Sequence, residues 1–341
     1  MSKKQRRICQ SAVLIILISG CATVQEHDPE PTAPPPKAKA PHEFMSKSYS
    51  NPAEAQFSYV DVENFVTAYQ AIQNGMDTTL ALQSLYLDKA SLGLEQFIEK
   101  YDLTEERLRE AVQKRPEVYG RIPSTLAAIK KHQDSYHDIY AEIKRIIPDA
   151  VFPTTYFVVE GYRGIGSGSA AGPLLSIEKR SPESIPDDLL GTLVHEMIHM
   201  EQYAAIGQAY FAIFSGPERT LLATSIREGG ATYMAQIIAG GSRHKNKALE
   251  YYLAHEQELW TQFSAEMMGN EMGDWLWATP ANPDWPRDLG YVIGARIVGH
   301  YYETAENKEA AATQIMNITD YKGFLDLSGY AKQFKSLSKL D

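Results

Sequence analysis

The sequence predicts an α+β fold that is mainly α-helical. Apolar residues recur at helical spacing through residues 53–147 and again through most of 181–341. Between them, residues 151–180 change to short apolar runs separated by glycines, the pattern of a small β-sheet. The roughly 290 residues after position 50 are enough to bury one core.

The chain opens with Lys3, Lys4, Arg6 and Arg7, followed by an apolar run from Ala12 to Ile18. This reads as a secretory signal over residues 1–20, too short for a comfortable membrane span. It ends Leu17-Ile18-Ser19-Gly20-Cys21, which resembles the lipobox of bacterial lipoproteins. The resemblance implies lipidation of Cys21 and anchoring in the bacterial cell envelope. Ala22 in place of aspartate fits, in enterobacterial-type sorting, an outer-membrane lipoprotein facing the periplasm. Removing residues 1–20 takes 4 of 33 basic residues and none of 43 acids, leaving a formal charge of −14. So acidic a chain is a poor nucleic-acid partner. With Cys9 in the signal and Cys21 as the lipid site, no disulfide is available. Residues 21–50 carry Pro29, Pro31, Pro34, Pro35, Pro36 and Pro41 and read as an extended tether.

Residues 51–150 form an N-terminal helical region. Phe57, Val60, Val62, Phe65, Val66, Tyr69 and Ile72 make one stripe, and Leu80 to Ile98 another. Thr104-Glu105-Glu106 caps a short helix ending near Pro116, and Ser124 opens a long one stopped by Pro148. His132 and His137 lie on it, five apart and not on one face, as surface or packing residues. In the remaining region, 151–341, Tyr156–Val159 is a short strand. Gly161–Ser169 is a glycine-rich turn, and Ala170–Ile177 can return as a second strand. The glycine run lacks the lysine and following helix of a phosphate loop.

A helix is expected over 186–206, with Ser181 as a cap candidate, acids in its first turn and Gly207 as its stop. Its middle reads His195-Glu196-Met197-Ile198-His199. Histidines four apart share a helix face and can reach one ion, with Glu196 beside the first: the H-E-x-x-H pattern of zinc hydrolases. A catalytic zinc usually takes three protein ligands, and Glu228 is the candidate third. It sits in a second helix with Pro217 and Glu218 near its start and Gly240-Gly241 as its stop. Gly229 and Gly230 weaken that helix but let it approach the first closely.

The pair HEMIH and Glu-Gly-x-Ala resembles the gluzincin metallopeptidases. Phe152–Val159, HEMIHMEQ, REGGATYMAQ, Gly290–Val298 and Phe324–Tyr330 look, more narrowly, like bacterial predicted zinc-dependent proteases related to gliding-motility lipoproteins. The resemblance spans roughly residues 60–335. It implies a thermolysin-like core, one Zn²⁺ on His195, His199 and Glu228, Glu196 as general base, and a peptide or protein substrate. In such families a strand just before the zinc helix borders the cleft, where an extended peptide can add to its edge. Gluzincins commonly place a tyrosine or histidine opposite the metal to steady the oxyanion. Tyr291 is favoured here, with His300 second. Some gluzincins hold the first histidine with an acid four residues after the third ligand; here that position is Thr232.

Trp260, Trp275, Trp277 and Trp285 read as core or lid packing. Two other functions fit less of the sequence. One is a catalytically silent or restricted metallopeptidase-fold lipoprotein acting as an envelope scaffold, and the other is a saccharide-binding module built on the tryptophans.

Overall fold

A computed structural model describes residues 48–214, 216, 218–240 and 247–337. The signal segment, Cys21 and nearly all of the proline-rich tether lie outside the described residues. Among the described residues no helix is long and apolar enough to cross a membrane.

Helices α1 (Val60–Gln73), α2 (Thr78–Leu85), α3 (Leu92–Tyr101), α4 (Glu105–Lys114), α5 (Pro116–Gly120), α6 (Ile122–Lys131) and α7 (Gln133–Ile146) build the first half. Asp77, Ser91 and Thr104 cap α2, α3 and α4 by accepting a backbone N–H with their side chains. The single long helix expected from Ser124 to Pro148 is two helices. It breaks at His132, where the Ile129 carbonyl takes both the His132 N–H at 3.1 Å and the buried Tyr136 hydroxyl at 3.0 Å. His137 packs edge-on against Phe57.

The strands are β1 (Ser48–Tyr49), β2 (Phe57–Ser58), β3 (Phe152–Pro153), β4 (Thr155–Val158), β5 (Gly166–Ser169) and β6 (Gly172–Ser176). β1 pairs with β3, and the main sheet runs β2-β4-β6-β5. β2, β4 and β6 are parallel, while β5 turns back antiparallel on β6. Of the glycine-rich stretch 161–169 expected as a turn, residues 161–165 are a loop but 166–169 form an edge strand, joined to β6 by a two-residue turn at Ala170-Ala171. Register puts Tyr156, Leu174 and Ser167 on one face, against α3. Gly166 and Gly168 lie on the other, against α8 (Asp187–Ile206).

After α8 come α9 (Ala209–Ala212), α10 (Leu221–Ala239), α11 (Lys247–Ala254), α12 (Glu256–Glu266), α13 (Leu289–Thr304), α14 (Lys308–Met316), α15 (Tyr321–Ser328) and α16 (Lys332–Leu337). Helix predominates over a small sheet, as the periodicities predict. Ser181 does not cap α8. It closes a short 3-10 turn at Pro182–Ser184, through a reciprocal bond with Ser184, one step before the helix. α10 starts later than Pro217 because Thr220 caps it, accepting from Ala223 N–H at 3.1 Å. One apolar core extends from Ala55 to Phe334.

The tightest packing is between α10 and α13. A Cβ on Gly229 would stand 2.1 Å from the Gly294 carbonyl carbon, and one on Gly294 only 1.7 Å from the Ser225 carbonyl oxygen. Gly229 thus serves the contact with α13, not the approach to α8 that the sequence led us to expect. Gly230 faces α8: a Cβ there would stand 3.4 Å from Gln202 Nε2.

A buried carboxylate ties the loop after β4 to the end of β6. Glu178 accepts the N–H groups of Glu160, Gly161 and Tyr162, the Tyr119 hydroxyl and the Ser176 hydroxyl, all at 2.9 Å. Burial and the neighbouring Glu178 together push Glu160 up to about 7.

This packing and burial make three predictions. Gly294→Ala collides with backbone and should cost more than about 3 kcal/mol or abolish folding. Gly191→Ala, in the second turn of α8 with nothing within 4 Å of the new Cβ, should instead stabilise by roughly 0.5–1 kcal/mol in urea denaturation. Glu160 favours the fold while protonated, so its contribution is present below its ordinary value of 4.5 and is lost as pH rises through about 7. Between pH 5 and 8 the parent should lose roughly 2–3 kcal/mol that Glu160→Gln does not lose.

Candidate metal centre

α8 carries His195 and His199 one turn apart, and their rings meet edge-to-face at 4.7 Å between centroids. α10 brings Glu228 to them. His195 Nε2 lies 3.1 Å from His199 Nε2, and Glu228 Oε2 lies 3.2 Å from the latter and 3.5 Å from the former. Nitrogen and oxygen ligands held about 2.0–2.1 Å from one tetrahedral ion stand about 3.3 Å apart. The observed triangle has those edges, so the three groups can hold a metal ion.

The hydrogen bonds around His199 support the same reading. Gln202 Nε2 donates to the Arg227 carbonyl at 3.2 Å, which orients the amide so that Oε1 faces His199 Nδ1 at 2.9 Å. His199 then carries a proton on Nδ1, which leaves Nε2, directed at the Glu228 carboxylate, free to bind a metal ion. With Nε2 unprotonated the two groups facing each other at 3.2 Å repel, and either a proton or a metal ion between them relieves it. Burial raises the Glu228 carboxyl, but His199 and His195 outweigh it and hold the group well below the usual carboxylate range. Thr232 Oγ1 stands 3.5 Å from His195 Nδ1. The position four residues past Glu228 does therefore adjoin the first histidine, with a hydroxyl in place of a carboxylate.

Glu196 is 7% exposed and lies under β5. A Cβ on Gly166 would come within 2.7 Å of Glu196 Oε1 and 2.8 Å of Thr192 Cγ2, and one on Gly168 within 2.9 Å of Met200 Cε. Any larger residue at 166 would displace the Glu196 carboxylate. Burial pushes Glu196 up to about 7; His195, Lys100 and Arg180 pull it down and Glu228 adds to the rise. Sequence reasoning missed Arg180, which ties the residue before β5 and the end of β6 to α8: it donates to the Ile165 carbonyl at 3.2 Å, the Ser176 carbonyl and Thr192 Oγ1 at 2.8 Å. It missed Lys100 too, which donates to Ser167 Oγ at 3.0 Å and the Gly168 carbonyl at 3.2 Å. Gln202 was within reach, since it follows His199 by three residues on the same helix face.

β5 ends the sheet. The bond from Ser176 N–H to the Ile165 carbonyl marks residues 165 and 176 as a hydrogen-bonded pair. By alternation, Gly166 and Gly168 turn their N–H and C=O groups away from β6, toward the outer edge. Pro173, which has no N–H to give, faces Gly168 at such a position.

Of the two residues on α13, Tyr291 stands beside the centre, its ring 6.2 Å from that of His195. His300 lies nine residues further along the helix, about 13–14 Å of axial rise away. Its Nδ1 binds the Ser328 carbonyl at 2.6 Å, and its ring packs on Tyr330. Both line a cleft of about 440 Å³ that also takes in Thr232 and Arg296. Trp260 and Trp275 are core, and Trp285 packs against it; Trp277, at 46% exposed, is not.

Comparison of the chain with protein-family models, with curated proteins and with solved structures finds no match in any of the three.

His199→Ala should abolish stoichiometric metal binding, measured by elemental analysis of purified protein. Gln202→Leu should keep the fold but weaken metal affinity about 10–100-fold in chelator competition, because His199 loses the acceptor that fixes its tautomer.

Proposed function

We propose that this chain is a zinc-dependent peptidase of gluzincin type, held in a bacterial cell envelope by a lipid on Cys21. One observation carries the enzymatic part. Two histidine nitrogens and a carboxylate oxygen form a triangle of metal-ligand dimensions, and the Glu196 carboxylate is enclosed between that triangle and a sheet edge. The lipoprotein part rests on the sequence before residue 22.

His195, His199 and Glu228 would hold the ion. Imidazole and carboxylate donors suit zinc, and when bound it activates a water and polarises the substrate carbonyl. The remaining chemistry belongs to the chain. Glu196, raised toward neutrality by burial, takes the proton of the attacking water and hands it to the leaving amine. The neighbouring Arg180 and Lys100 favour its charged form before proton transfer. The outward N–H and C=O of Gly166 can bond an extended peptide, which would lay its scissile bond across Glu196. Tyr291 is the candidate donor to the carbonyl oxygen as negative charge grows there, while His300 is too far along α13 for that role.

Glu196→Gln should retain one metal per chain and lose about 10²–10⁴-fold in peptide cleavage, scored on a peptide library by mass spectrometry. A parent that binds zinc stoichiometrically yet cleaves nothing in the library would favour the envelope-scaffold reading instead.

A further inference from the structure

Trp277 is at the surface, 46% exposed, with a left-handed backbone at φ 65°. A bulky side chain is strained in that region, and such strain persists only where surrounding contacts impose it. Three contacts do so. The Trp277 N–H donates to Asp288 Oδ1 at 3.0 Å, its carbonyl accepts from Arg287 Nη2 at 2.7 Å, and its indole N–H donates to the Tyr291 phenol oxygen at 2.8 Å. Asp288 is itself left-handed, at φ 67°, and is the residue from which α13 springs. The loop carrying Trp277 is thus locked to the helix carrying Tyr291.

The direction of the last bond matters. An indole N–H can only donate, so the phenol oxygen of Tyr291 is the acceptor. The phenol's own proton must then point elsewhere, and the ring already lies beside His195. A tyrosine without this neighbour could turn its hydroxyl hydrogen in any direction that finds an acceptor. We infer that Trp277 is a positioning residue, which holds the Tyr291 hydroxyl as a donor presented to the substrate's carbonyl oxygen; the inference rests on the peptidase reading above. It accounts for an exposed tryptophan in a strained conformation whose one polar atom is committed to a residue beside the metal ligands.

The test has two independent parts on the full chain. The chain holds four tryptophans, so ¹⁵N-indole labelling gives four side-chain N–H signals, and Trp277→Phe identifies one of them by its loss. In Tyr291→Phe that signal should shift; an unmoved signal overturns the contact. In peptide cleavage, Tyr291→Phe should lower kcat about 100-fold. Trp277→Phe, which keeps an aromatic ring but loses the N–H, should lower kcat about tenfold with KM within about twofold and metal content unchanged. Adding it to Tyr291→Phe should cause no further loss. A Trp277→Phe variant with parental kcat, or losses that multiply in the double variant, would overturn the positioning role. If the parent cleaves no peptide, the peptidase reading fails by itself and the indole signal alone decides whether Trp277 holds Tyr291.

Discussion

The crossing of α10 and α13 at Gly229 and Gly294 is the contact on which the site depends. Helices with ordinary side chains at their crossing sit about 8–10 Å apart. Here neither position tolerates a Cβ, so backbone meets backbone. Glu228 is the neighbour of Gly229, and Tyr291 lies one turn before Gly294. The same close approach therefore delivers a carboxylate from one helix and a phenol from the other to the histidines of α8. Gly230, the next residue, leaves room for the Gln202 amide that orients His199. What looks in isolation like a weak helix is one shaped by its two neighbours.

Buried charge is managed differently on the two sides of the triad. Beneath β5, Glu196 is buried, with Arg180 acting on it from the turn after β6 and Lys100 from α3. Across the triad, Glu228 is held ionised by the two imidazoles. These environments drive two carboxyls in opposite directions, which separates a candidate ligand held in its charged form from a group able to exchange a proton near neutrality. Thr232 beside His195 adds no further negative charge. The pair Glu160 and Glu178, away from the site, behaves otherwise: burial raises both carboxyls, and the five donors on Glu178 offset its rise only in part.

Much of this was legible in the chain because it is local. Four-residue spacing puts His195 and His199 on one face whatever the tertiary structure. Gly207 and Gly240 end their helices with positive φ, where glycine meets no steric cost. Thr104 likewise announces its helix. The helix through Ser124 breaks because a side chain from the next turn, Tyr136, competes for a backbone carbonyl, and periodicity carries no sign of that. The glycine run 161–169 reads as a turn because strand propensity disfavours glycine, yet α8 presses so closely on β5 that nothing larger fits at 166.

The candidate ligand types, the helix that presents two of them and the mainly helical class follow from the chain alone, since each depends on spacing along one continuous segment. The tertiary structure decided which distant residues join them. Glu228 reaches the histidines, Tyr291 faces them and His300 does not, although Tyr291 and His300 share one helix. Arg180 and Lys100 act on Glu196 from other elements. Trp277, indistinguishable in sequence from three tryptophans in or against the core, stands at the surface holding a phenol. Such pairings depend on helix crossings and strand register, which are set by contacts between residues far apart in the chain, and no local pattern records them.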